Sequence, residues 1–111
     1  MKTEDRKQAV RDYREREVIA GIFAVRCATS GQTWVGRAPD LSTIQNRIWF
    51  TLRQGGNPHR ALQAAWNAHG ADAFTFEVVE ELDPDTFASA RDRLLKGRLA
   101  HWAESLDAAV I

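Results

Sequence analysis

The segment GIFAVRCATSGQTWVG, residues 21–36, decides the fold of this chain. The runs Val18 to Cys27 and Thr33 to Arg37 are rich in apolar, β-branched and aromatic residues, which is typical of buried β-strands. Between them, residues 29–32 read TSGQ and contain a glycine, the residue that tight turns favour. The sequence therefore predicts a β-hairpin here.

Turn-forming residues divide the chain beyond the hairpin into three helices and one strand. A first helix is predicted within residues 39–56, with apolar residues at the spacing of one buried face: Leu41, Ile44, Ile48 and Leu52. A second helix is predicted with Asn57 as its N-cap, Pro58 as its first residue and Gly70 just after its end. A third strand is predicted over 74–79, and a long last helix over 83–106, with Asp83 and Pro84 at its start and Phe87 on its apolar stripe. We expect an α/β fold, a three-stranded, mainly antiparallel sheet flanked by helices.

The first 17 residues form a separate segment that is dense in charges of both signs. Residues 3–17 show a narrow apolar stripe and acid–base pairs at helical spacing, which favours a helix. We interpret residues 1–17 as a helical appendage to a domain of residues 18–107.

Composition limits the class of protein. The chain has 111 residues, of which 44% are hydrophobic and 27% charged, values typical of one globular domain. Its single cysteine, Cys27, cannot form an internal disulfide, and no apolar run approaches the roughly 18 residues of a membrane span. The N-terminus lacks the apolar stretch of a signal peptide. We therefore expect a cytoplasmic protein without a membrane partner.

Charge is distributed unevenly, although the formal net charge is zero. Residues 33–69 contain four arginines and one acid, whereas residues 70–111 contain nine acids and four basic side chains. A basic, nearly acid-free middle fits an anion-binding face, and a solvated mixed surface is the alternative interpretation.

The motifs resemble those of the GIY-YIG nuclease family over about residues 20–102. GIF lies on the first strand, WVG on the second and an arginine in the following helix, and LQAAWNAHG then leads into FTFEVVEEL. The resemblance implies an endonuclease domain that hydrolyses phosphodiester bonds in DNA, with a divalent metal, Mg²⁺ or Mn²⁺, as cofactor. In that family two tyrosines, a helix arginine and a glutamate surround the scissile phosphate and the metal.

At the catalytic positions implied by the resemblance, other residues replace the family's two tyrosines. Phe23 occupies the first tyrosine position and has no hydroxyl, so it cannot transfer a proton. Trp34 occupies the second and retains only an indole N–H, which could donate to a phosphate oxygen. Packing of both rings against a helix is the alternative interpretation.

Two registers are open for the catalytic arginine. Counting without gaps from Gly36 selects Ile44, whereas a loop three residues longer selects Arg47, which we prefer because Ile44 lies on the buried stripe. The predicted nucleic-acid-binding residues lie around this helix: Arg37, Asn46, Trp49, Arg53 and Arg60.

The metal ligand is the weakest point of the resemblance. The family's glutamate would fall at about residues 93–97, none of which is acidic, so Gly97 marks the place of a lost glutamate and Asp92 is the nearest substitute. Two functions follow. The leading hypothesis is an active nuclease domain, and the alternative is a catalytically degenerate module that binds DNA or a protein partner and needs no metal.

Overall fold

The hairpin forms the centre of the sheet. The structure is a computed structural model and describes residues 18–111, so the predicted helix of residues 1–17 lies outside the described residues. Strand β1 spans Gly21–Cys27, and strand β2, Thr33–Ala38, pairs with it antiparallel. Gly31 in the turn has a φ of 76°, which favours glycine, and its N–H donates to the Cys27 carbonyl at 2.9 Å.

Two further strands complete a four-stranded sheet of order β3-β1-β2-β4. Strand β3, Phe74–Glu81, pairs antiparallel with β1 and occupies one edge. Strand β4, Ala109–Val110, pairs parallel with β2 at the other edge. The sheet therefore has one strand more than the three predicted. A strand of two residues is too short to show the alternation of apolar and polar residues by which strands are recognised. The sheet is mixed.

The first helix has the predicted limits. Helix α1 spans Leu41–Gln54, and the Asp40 carboxylate accepts a hydrogen bond from the Ser42 backbone N–H at 3.0 Å. It ends at Gly55, whose φ of 77° is the left-handed conformation common at helix C-termini. Both ends are set by local signals, so they could be predicted from sequence.

The other two helices begin later than predicted. Helix α2 spans Arg60–His69, because the Asn57 side chain accepts from the His59 N–H at 2.8 Å and so stabilises a turn before the helix. Helix α3 spans Ala88–Ser105. Asp83 caps the preceding turn instead, accepting from the Asp85 N–H at 2.8 Å. Among residues 18–111, no helix is both long and apolar enough to cross a membrane.

The sheet separates two apolar cores. On one face, side chains of β1 and β2 such as Phe23 and Trp34 pack against α1 and α2. On the other face, Ile22 packs with Leu95 of α3. Since neighbouring residues of a strand point to opposite faces, the hairpin supplies both cores at once. The molecule has three layers, with α1 and α2 in one and α3 in the other.

Candidate functional site

Phe23 of the first motif is part of the core. Its ring is 3% exposed and stacks on Phe76, with centroids 5.4 Å apart and an interplanar angle of 14°. It also lies over Gly36, where a Cβ atom would come within 2.4 Å of the Phe23 Cζ. The glycine of the WVG motif is therefore required for close approach of this ring.

Gly21 of the first motif is required for another close approach. A Cβ at this position would lie 2.2 Å from the backbone oxygen of Glu80 and 2.7 Å from Cδ1 of Leu41. Because position 21 has no side chain, both β3 and the start of α1 can pack closely against β1 there.

Trp34 of the second motif is also buried. Its side chain is 1% exposed and stacks on Phe74, with ring centroids 6.2 Å apart. In this position the indole is enclosed by the core around the hairpin. The geometry supports the packing interpretation of this residue.

A cavity of about 410 Å³ lies beside the first motif. Its apolar wall consists of Phe23, Ile44, Ile48, Pro58 and Ile111. Arg37, Asn57 and His59 add its polar groups. Of the two registers considered for the catalytic arginine, the structure brings Ile44 to the cavity, whereas Arg47 is exposed elsewhere on α1.

Two polar side chains of the cavity, Asn57 and His59, form hydrogen bonds that stabilise the fold. The Asn57 amide donates to Oγ1 of Thr51 at 3.0 Å, and Nε2 of His59 donates to the Val110 carbonyl at 3.1 Å. Within residues 18–111, Nδ1 of His59 is a buried atom without a hydrogen-bond partner. Gln63 of the LQ pair is buried and links the helices, because its amide donates to the Leu52 carbonyl at 3.0 Å.

The predicted arginines lie on the outer surface. Arg47 and Arg53 are exposed on α1, and Arg60 is the exposed first residue of α2. None of them forms an ion pair with another described residue, and the sequence holds no acid between Asp40 and Asp72. We call these three arginines the basic layer. Arg37 lies apart from it, at the rim of the cavity, and Asn46 is exposed on α1.

Trp49 and Phe50, which are adjacent on α1, differ in exposure. Trp49 is half-buried against Trp66, with ring centroids 5.5 Å apart, and contacts the edge of Phe76. Phe50 is 60% exposed. Of these two aromatic residues on α1, Phe50 and not the predicted Trp49 is therefore the exposed one.

Two solved structures share this architecture. The catalytic domain of homing endonuclease I-TevI matches with a TM-score of 0.69 at 23% identity, over 83% of this chain and 97% of that one. A mutant of the catalytic domain of intron endonuclease I-TevI matches with a TM-score of 0.67 at 24% identity, over 80% and 84%. This chain has the GIY-YIG nuclease fold. No protein-family profile and no curated protein matches it.

The described residues do not fit the divalent metal that the GIY-YIG fold implies. Asp92 is exposed and Gly97 has no side-chain ligand atom, and both lie on α3, which packs on the sheet face opposite Phe23 and Trp34. Among residues 18–111, no three His, Cys, Asp or Glu side chains are grouped so that they could hold a metal ion. Hard cations need several oxygen ligands, so the predicted ligand set is insufficient.

A polar cluster on the α3 side of this GIY-YIG fold was not predicted. Oε1 of Glu80 accepts from Nε of Arg98 and from Nε1 of Trp102, both at 2.7 Å. Burial raises the pKa of Glu80, but the hydrogen bonds from Trp102 and Arg98 and the charges of Arg98 and His101 outweigh it, so the pKa is lowered. No local sequence pattern indicates this cluster, because the partners of Glu80 are 18 and 22 residues away.

Replacing Glu80 with glutamine should reduce the pH dependence of stability at acid pH. A carboxyl whose pKa is lower when folded stabilises the protein above its unfolded pKa, about 4.3, and loses this effect as pH falls through the folded value. Chemical denaturation of wild type and Glu80→Gln should therefore differ most near neutrality and converge in acid. Glu81→Gln, at an exposed carboxylate without an ion pair among the described residues, is the control. A constant difference at all pH values would contradict the prediction.

Proposed function

We propose that this chain is a DNA-binding module that uses the GIY-YIG fold without its hydrolytic chemistry. The observation that carries the proposal is the basic layer, in which α1 and α2 expose Arg47, Arg53 and Arg60 and contain no acidic residue. Among residues 18–111, the acids lie instead mainly on β3, α3 and their connections. The chain therefore has one positively charged face although its formal net charge is zero.

A positive face of this kind binds DNA through its phosphates. Each arginine that neutralises a phosphate releases condensed counterions, which gives affinity that falls steeply with salt. Guanidinium groups that are not paired with carboxylates need no ion pair to be broken before they bind. These contacts position a protein on DNA without reading its sequence.

The residues at the catalytic positions support binding without hydrolysis. Phe23 lacks a hydroxyl, Trp34 is buried, and Ile44 stands where the ungapped register would place the arginine. Loss of a general base alone typically slows a reaction by about 10²–10⁴-fold. Metal-dependent hydrolysis is the second candidate, and the likeness of the fold to endonuclease catalytic domains is the observation that favours it.

Removing charge from the basic layer should weaken DNA binding and its salt dependence. For Arg47→Ala/Arg53→Ala we expect the slope of log K against log[salt] to become smaller by about 2, since each phosphate contact contributes about 0.9. Fluorescence anisotropy with labelled duplex and single-stranded DNA measures this. The matched control is Arg93→Ala/Lys96→Ala, which removes the same charge from exposed positions of α3. Equal losses in both variants would contradict a localised binding face.

A cleavage assay separates the two candidate functions. Supercoiled, linear and single-stranded DNA are incubated with the protein in Mg²⁺ or Mn²⁺, and we expect binding without nicking. Cleavage by wild type that Arg47→Ala abolishes would establish the nuclease function instead. If wild type binds no DNA even at low salt, both nucleic-acid functions are wrong and a protein partner becomes the candidate.

A further inference from the structure

We propose that the exposed face of α1 binds unpaired bases of single-stranded DNA, with Phe50 as the stacking residue and Arg47 and Arg53 as phosphate contacts. The inference rests on the proposed function and names its substrate class. It is carried by the exposure of one aromatic ring and by the residues that surround it.

Phe50 is not needed by the core. Its side chain is 60% exposed in the middle of α1, whereas the buried residues of that helix are Ile48 and Leu52. Leaving a phenylalanine exposed forgoes the stabilisation that burial of its ring would give. Its ring is therefore available to a partner.

The neighbours of Phe50 on the helix surface suit a nucleic acid. Residues three and four positions apart lie side by side on a helix, so Phe50 has Arg47 and Arg53 on either side, together with Asn46 and Gln54. All four are exposed and none is acidic. The two arginines are separated by about 9 Å along the helix axis. The ring thus lies between two cations that can follow a phosphodiester backbone.

Aromatic packing holds the exposed face of α1 in a fixed position. Trp49, the next residue, packs on Trp66 of α2 at 5.5 Å and on Phe76 of β3 at 6.3 Å, and Trp66 packs on Phe74 at 5.2 Å. These contacts fix α1 against both α2 and the sheet. A preorganised surface loses less conformational freedom on binding.

The geometry favours single strands over duplex. In a duplex both faces of each base are covered by its neighbours, so a ring on a convex helix can stack only on an unpaired base. Stacking on aromatic side chains tolerates any base sequence, because every base has a π-face. We therefore expect little sequence preference.

The test compares a labelled oligothymidylate with a hairpin duplex of similar charge at low salt. Phe50→Ala should bind the oligothymidylate about 5- to 150-fold more weakly than wild type, the range for loss of one stacked base. Its affinity for the duplex should stay within twofold of wild type, roughly the scatter of such measurements, since phosphate contacts remain. Phe50→Tyr keeps the ring and should retain affinity for both DNAs.

Phe87→Ala is the matched control. Phe87 is 81% exposed, but it follows the turn that holds Asp83 and Asp85 and does not lie between two arginines on one helix face, so its removal should change neither affinity. If Phe50→Ala binds oligothymidylate like wild type, or loses affinity equally for both DNAs, the stacking proposal is overturned. Salt-dependent binding by the basic layer would survive that result, so failure here is distinguishable from failure of the proposed function.

Discussion

Trp34→Ala should lower the free energy of unfolding by about 3–5 kcal/mol, the range for removing a large buried aromatic side chain. The ring is fully enclosed between the hairpin, Phe74 and the helices α1 and α2, so its removal leaves a cavity that these elements cannot close. Chemical denaturation followed by circular dichroism measures the change.

The comparison with Trp34→Phe separates packing from phosphate binding. Phenylalanine keeps an aromatic ring but removes the indole N–H, so we expect a smaller loss of stability and unchanged affinity for DNA. A stable Trp34→Phe protein that no longer binds DNA would show that the indole N–H contacts the ligand. That result would restore the functional interpretation of this residue.

Gly21→Ala should destabilise the protein by about 3 kcal/mol or more, at or above the usual range for overpacking. The added methyl group would lie 2.2 Å from the backbone oxygen of Glu80, and a backbone atom inside a sheet cannot turn aside as a side chain can. The pairing of β1 with β3 would have to separate locally. Thermal unfolding measures the effect directly.

Gly97→Ala is the control with the opposite expected sign. A Cβ at Gly97 would meet no other atom within 4 Å, and alanine is favoured over glycine inside a helix by up to about 1 kcal/mol. The variant should therefore be more stable than wild type. If both glycine substitutions have the same small effect, the close approach at Gly21 is not a determinant of the fold.

The parts of the fold that were predicted correctly depend on local signals. The hairpin strands follow from β-branched and aromatic runs around a glycine turn, and α1 from Asp40 at one end and Gly55 at the other. The start of α2 was misplaced because Asn57 can form a turn or cap a helix, and the sequence does not distinguish the two. Phe87 was placed on the apolar stripe of the last helix but precedes α3 and is exposed.

The site was harder to predict because it depends on contacts distant in sequence. The resemblance located Phe23 and Trp34 correctly on β1 and β2, but only the packing against Phe76 and Phe74 indicates that both rings are buried. Whether Ile44 or Arg47 of α1 lies at the cavity depends on how α1 crosses the hairpin, and the structure places Ile44 there. The roles of Arg47, Arg53 and Arg60 in binding stay predictions until affinity is measured.

The position of β3 at the edge of the sheet has a consequence for solubility. Within residues 18–111, no strand covers its outer side, and an open strand of eight residues can pair with another copy and aggregate. Its sequence FTFEVVEE contains three glutamates, of which Glu77 pairs with Arg26 and Glu80 with Arg98, whereas Glu81 is exposed without an ion pair among the described residues. Two such edges would bring the unpaired Glu81 carboxylates of two copies onto one interface, so this charge opposes self-association.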